Sequence, residues 1–269
     1  MAREWTLDDV PLALVAPNLV AGREDLFYAV TAASLVESGA DIYAANLVTF
    51  FEGDGEVNDW LRRRWQVEEV NHGRVLRAYV GRVWPEFDWQ RAYAEFLADY
   101  ARLCTVGNLE ATRSRELAAR CVVETGTATF YRALAAQAGE PVLAGIAGRI
   151  SAQEVDHYKH FYAYFRAYRA RESTGRLEVA TTLARRTLAA RHSDADLALR
   201  HAFAVRSGAD DARRYRALGR RLERQLGRHY PLGMATKMLV KPLALPAWLA
   251  HAVCGPLATA IAWLLNLSA

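Results

Sequence analysis

Trp65-Gln66-Val67-Glu68-Glu69-Val70-Asn71-His72-Gly73 contains a Glu-x-x-His, and a second one, Glu154-Val155-Asp156-His157, follows further along the chain. Positions i and i+3 of a helix share a face, so Glu69 points with His72, and Glu154 with His157. Glu37 and Glu124 each fall on the helix that precedes one of these motifs. One Glu from each of two helices, with a Glu-x-x-His from each of the other two, makes the donor set of a two-metal helical bundle. Four carboxylates balance two divalent ions, and two imidazoles complete a shell suited to iron or manganese. Neither Glu-x-x-His motif contains a cysteine, which argues against a zinc site built on thiolates.

The surrounding periodicity predicts the helices that carry the set. A first helix is expected over 24–51, with Leu26, Val30, Ala33, Ala40, Ala44, Val48 and Phe51 as its apolar stripe and Glu37 in the middle of it. A carboxylate there is costly to bury unless it is paired or bound to metal. Gly53-Asp54-Gly55 breaks the pattern, and a second helix is expected over 57–83, facing inward through Leu61, Trp65, Glu69, His72, Leu76 and Tyr79. Glu68 lies about 100° around from Glu69. It is therefore assigned to solvent or to a place behind the ligands, and its replacement by Ala is expected to leave metal occupancy unchanged. A shorter segment over 88–103 crosses to a third helix, 109–137, with Leu117, Glu124, Thr127, Tyr131 and Leu134 on one face. Pro141 then opens a fourth, to about 171, facing in through Ile150, Glu154, His157, Phe161, Phe165 and Tyr168. His160 is left outside the ligand set, as a core or supporting histidine. Tyr131, Tyr158, Phe161 and Phe165 suit a substrate channel or plain core packing.

The motif residues resemble the soluble acyl-acyl-carrier-protein desaturases, a branch of the ferritin-like di-iron superfamily. In that family the second metal helix carries a tryptophan followed by Glu-Glu-Asn-Arg-His-Gly; here stand Trp65 and Glu68-Glu69-Val70-Asn71-His72-Gly73. The family's Asp-Glu-Lys-Arg-His-Glu becomes Gln153-Glu154-Val155-Asp156-His157-Tyr158. Its Glu with Thr three residues on is matched by Glu124 and Thr127, with Phe130 beyond, and the first helix matches around Glu37, Ala40 and Tyr43. The similarity covers roughly residues 24–170. Gln153 departs from the family's acid, at a position associated with electron delivery.

The resemblance implies a ferritin-like four-helix bundle in which Glu37, Glu69, His72, Glu124, Glu154 and His157 bind two irons. Glu69 and Glu154 would bridge them, and Thr127 would stand beside the oxygen-binding face. It implies an oxidoreductase that uses dioxygen to desaturate or otherwise oxidise an acyl chain carried on acyl carrier protein, with an external electron donor such as ferredoxin. Two other readings of the residues stay open. One is a ferroxidase or iron-handling relative; the other is a non-enzymatic helical scaffold whose glutamates are paired with arginines.

Outside the motifs, 52% hydrophobic and 24% charged residues describe an ordinary globular chain of 269 residues. Two parts are expected: residues 1–174 as a bundle with a lead-in that packs across it, and residues 175–269 as a basic helical extension. Between 175 and 228 thirteen arginines face six acids, which predicts helices with a basic face for an acidic partner such as acyl carrier protein or an anionic membrane. The formal net charge of +4 is modest, and no nucleic-acid partner is expected. Cys104, Cys121 and Cys254 are scattered, as reduced thiols of a cytoplasmic protein would be.

From Pro242 to Ala269 no Asp, Glu, Lys or Arg occurs. Pro246 and Pro256 divide this stretch into 247–255 and 257–267, each short of the roughly 20 residues that a membrane span needs. Packing on the bundle or burial in a homodimer is expected. The alternative is peripheral contact with a membrane, with Lys237 and Lys241 at the headgroups.

Overall fold

The computed structural model describes residues 4–189, 194–208 and 211–264, and among these the chain is all-helical, with no strand. Four long helices dominate: α2 (Glu24–Ser38), α5 (Gln66–Val83), α7 (Arg113–Gln137) and α8 (Pro141–Glu172). α7 and α8 pack along one another, α2 pairs with α5, and the two pairs meet where α5 touches α8. Extra helices follow, as expected: α9 (Arg176–Ala189), α10 (Asp194–Ser207), α11 (Ala212–Gly227), α12 (Leu232–Val240) and α13 (Ala247–Leu264).

The first expected helix is broken. Gly39 ends α2 with ψ of 0°, and a separate helix, α3 (Ala40–Phe50), begins after it. The ring of Phe96, on α6 (Trp89–Leu103), comes within 3.3 Å of where a Cβ on Gly39 would stand. The space beside residue 39 is filled by a neighbouring helix, so Glu37 sits in the last turn of α2 rather than mid-helix.

The second expected helix starts slightly early. Asp54 caps α4 (Gly55–Trp60) by accepting from the Val57 N–H, and the chain then runs through a π turn, Leu61–Trp65, into α5. Such turns recur at functional sites, and this one immediately precedes Glu68 and Glu69. α7 begins at Arg113, four residues later than expected, because Thr112 caps it and Val106–Asn108 form a 3₁₀ turn instead.

One glycine is demanded by packing. A Cβ on Gly73 would lie 2.7 Å from the Ser38 nitrogen and 2.9 Å from its Cα. α5 therefore touches the backbone of α2 beside the end that carries Glu37.

The lead-in packs across the bundle. After a 3₁₀ turn at Leu7–Asp9, another at Leu12–Leu14 and the single turn α1 (Pro17–Val20), it has buried Trp5, Val10, Val15 and Val20. Asn71 of α5 donates to the Trp5 carbonyl at 3.0 Å. The extension shares the bundle's cores: Ala198, Ala202, Phe203, Leu218 and Leu222 join one, Val179 and Leu183 the other. On α11, Leu218 and Leu222 face in while Arg213, Arg214, Arg216, Arg220, Arg221 and Arg224 are exposed. Arg191 and Asp210 lie outside the described residues.

The apolar stretch departs from expectation twice. Residues 247–264 form one helix that passes through Pro256 instead of two pieces. It does not bury itself on the bundle either: it packs chiefly on α12, and none of its described side chains is buried. Residues 265–269, Asn266 among them, lie outside the described residues. Among the described residues no helix is long and apolar enough to cross a membrane.

Candidate metal centre

All six residues singled out by the motifs meet between α2, α5, α7 and α8. Glu37, Glu69, His72 and Glu154 form one group, and Glu69, Glu124, Glu154 and His157 another, each with ligand atoms within 4.8 Å of one another and each fully buried. Glu69 and Glu154 belong to both groups.

The outer nitrogen of each imidazole is taken. Gln153 Oε1 lies 2.7 Å from Trp5 Nε1 and 2.9 Å from His72 Nε2. An indole N–H only donates, so the Gln153 atom facing it is the oxygen, and His72 must donate from Nε2 as well. Glu68 Oε2 likewise accepts from His157 Nε2 at 2.7 Å. Both inner nitrogens, Nδ1, are then turned toward the carboxylates. His72 Nδ1 lies 3.3 Å from Glu154, 3.7 Å from Glu69 and 3.8 Å from Glu37. His157 Nδ1 lies 3.1 Å from Glu69 and 3.7 Å from both Glu124 and Glu154.

Neither Nδ1, nor Glu154 Oε1, has a hydrogen-bond partner, although all are buried. Lone pairs and carboxylate oxygens converging in a dry space repel unless a cation stands among them. Among the described residues the ion-pair partners of Glu37, Glu69, Glu124 and Glu154 are His72 and His157 rather than lysine or arginine. The donor set fits a metal.

Without a metal, protons must take that place. Burial, then the charge of Glu69, holds the Glu37 carboxyl well above the usual range. Burial likewise pushes Glu124 to about 8. Burial opposes charge on His72 and His157, but the carboxylates around each outweigh it and raise both imidazoles well above their ordinary value. Burial would raise Glu69 and Glu154 too, yet the two histidines hold Glu69 well below the usual range and Glu154 at about 2.

The supporting residues were only partly legible. Glu68 is buried and bonds His157, so the solvent option falls. The rim that the helix wheel places outside faces α8 in the folded chain. Tyr131, read as channel or core, donates to Glu37 Oε1 at 2.5 Å. Trp5 had no local signal, since its partner Gln153 lies 148 positions away. Thr127 Oγ1 sits 2.8 Å from Glu154 Oε2, against a shared carboxylate. His160 stands outside the cluster, stacked on Trp60 and donating to the Asp156 carbonyl. Trp60, Trp65 and Phe161 close the His157 side with aromatic faces.

Compared with known proteins, the sequence matches no family model and no curated relative. The functional reading therefore rests on the centre itself.

Proposed function

We propose that the cluster holds two ions, iron or manganese, and that the protein is a dioxygen-dependent oxidoreductase of ferritin-like architecture acting on an acyl chain. The observation that carries the metal reading is the pair of imidazoles whose Nε2–H groups are tied outward while both Nδ1 atoms, without hydrogen-bond partners, face the buried carboxylates. Glu37, Glu69, His72 and Glu154 would hold one ion, and Glu69, Glu124, Glu154 and His157 the other. When bound, an iron pair supplies dioxygen activation and two-electron oxidation.

The chain's own residues prepare the site. Gln153 and Glu68 fix the tautomer and plane of each imidazole. Tyr131 orients Glu37, and Thr127 places a hydroxyl against Glu154. The buried aromatic wall excludes water, which protects a reactive centre and favours an apolar substrate. The acyl substrate, its carrier protein and a donor such as ferredoxin follow from the motif resemblance. Trp5 and Gln153 offer that donor a hydrogen-bonded approach to His72.

Metal analysis after anaerobic iron loading tests the centre. Two ions per chain are expected, with His72→Ala and His157→Ala each lowering occupancy sharply; one ion or none would overturn the reading. Substrate-driven oxygen uptake with acyl carrier protein substrates, compared with Glu124→Ala, then separates acyl oxidation from iron storage.

A further inference from the structure

α13 is a helix of 18 residues without a formal charge on any face. Trp248, in its first turn, is 73% exposed. A helix that is apolar all round is at home only when surrounded by an apolar medium. Two of its polar side chains turn back onto the helix: His251 Nδ1 donates to the Ala247 carbonyl at 2.7 Å, and Thr259 Oγ1 to the Gly255 carbonyl at 3.3 Å. Turning polar groups back onto the helix backbone lowers the cost of entering hydrocarbon.

The root of α13 is cationic. Lys237 and Lys241 are exposed just before it, Arg176 donates to the Ala244 carbonyl and Arg169 to the Pro242 carbonyl. A shallow groove of about 470 Å³ at this root is lined by the aromatic Tyr162 and Phe165 as well as by Arg166, Arg169, Ser173 and Thr174, whose guanidinium and hydroxyl groups are of a kind that bind phosphate oxygens. No Asp or Glu follows Glu223. A second copy of the stretch after Glu223 would thus set Lys237 and Lys241 against cations, with no carboxylate of that stretch to answer them. Lipid can cover the sides of α13 that α12 leaves open, and anionic headgroups answer the charge of Lys237 and Lys241.

We propose that α13 docks this protein on an anionic lipid bilayer, the helix entering the acyl region while Arg176, Lys237 and Lys241 meet the phosphates. Apolar insertion and basic contacts are the two signals that together hold a protein at a membrane. Neither depends on the metal centre.

Co-sedimentation of the full chain with vesicles tests this. Phosphatidylcholine mixed with phosphatidylglycerol is expected to pellet the protein, and phosphatidylcholine alone far less of it. Lys237→Glu/Lys241→Glu should weaken binding to anionic vesicles by about tenfold or more. Trp248→Asp, at an exposed position that leaves the fold intact by circular dichroism, should weaken it to a similar degree. Wild-type protein that stays in the supernatant overturns the proposal, as does binding that neither variant changes. A dimer that Trp248→Asp converts to monomer, with no vesicle binding, would show that a second copy covers α13 and would equally overturn it.

Discussion

Glu68 and Gln153 occupy equivalent places behind His157 and His72, but one is a carboxylate and the other an amide. Carboxylate support makes an imidazole more basic and holds its ring in place, and losing such a partner typically costs about 10–100-fold in metal affinity. Glu68→Ala is therefore expected to weaken metal binding by that order, although the helix wheel alone predicted no effect. Chelator competition reads it directly; an affinity equal to wild type would return Glu68 to a packing role. The raised carboxyls give a second prediction at this scale. Burial holds Glu37 well above the usual carboxylate range and pushes Glu124 up to about 8, so both are expected to carry protons in the metal-free protein near pH 7. Metal loading must displace those protons. Loading at pH 7 in weak buffer should acidify the solution, and affinity should rise as pH climbs through about 8. A pH-independent affinity across that range would contradict the picture.

At the level of elements, the spacing between helices matters more than any one of them. Gly73 lets α5 touch the α2 backbone at Ser38, and that contact sets Glu37 beside Glu69 and His72. The obstruction is main chain, which cannot rotate away, so Gly73→Ala must push the helices apart. A loss of about 1–3 kcal/mol in stability is expected, with lower metal occupancy, measured by denaturant melts and metal analysis. Glu140 performs a comparable task at the other end. Its buried carboxylate accepts from the Val142 and Leu143 N–H groups that begin α8 and from the Tyr79 hydroxyl of α5. Glu140→Ala strands all three donors, and a cost of about 2–3 kcal/mol should appear as a clearly lower melting temperature. Wild-type melting would mean that water replaces the carboxylate.

For the whole molecule, a metal bound at a cluster that only the folded chain assembles would add directly to folding stability. A ligand that binds only the folded state at 100 times its Kd adds about 2.7 kcal/mol. Anaerobic iron loading is accordingly expected to raise the melting temperature, and the six-residue set predicts that Glu154→Ala abolishes the rise. The exposed arginines of α11 act at the same scale. If they receive an acidic carrier protein, charge reversal at Arg213, Arg214 and Arg216 should weaken that binding in a salt-sensitive way, screened over about 8 Å at physiological ionic strength. Unchanged binding would leave the arginines as solvated surface.

The helical class, and which glutamates and histidines would share one buried cluster, could be read from the chain alone, because i, i+3 spacing and helical periodicity are local signals. The sequence also marked Pro141 as a helix start and the lead-in as a strap across the bundle. What only the tertiary structure decided was everything set by contacts between distant segments. Trp5 reaches Gln153 across 148 positions, Glu68 turns out to face α8, and the first helix ends at Gly39, where the Phe96 ring of α6 packs close. The apolar stretch shows the same boundary. Its composition announced that it needs a covering, but that it stands off the bundle as one helix through Pro256 was settled by the packing of the other helices, which leave no core position for it.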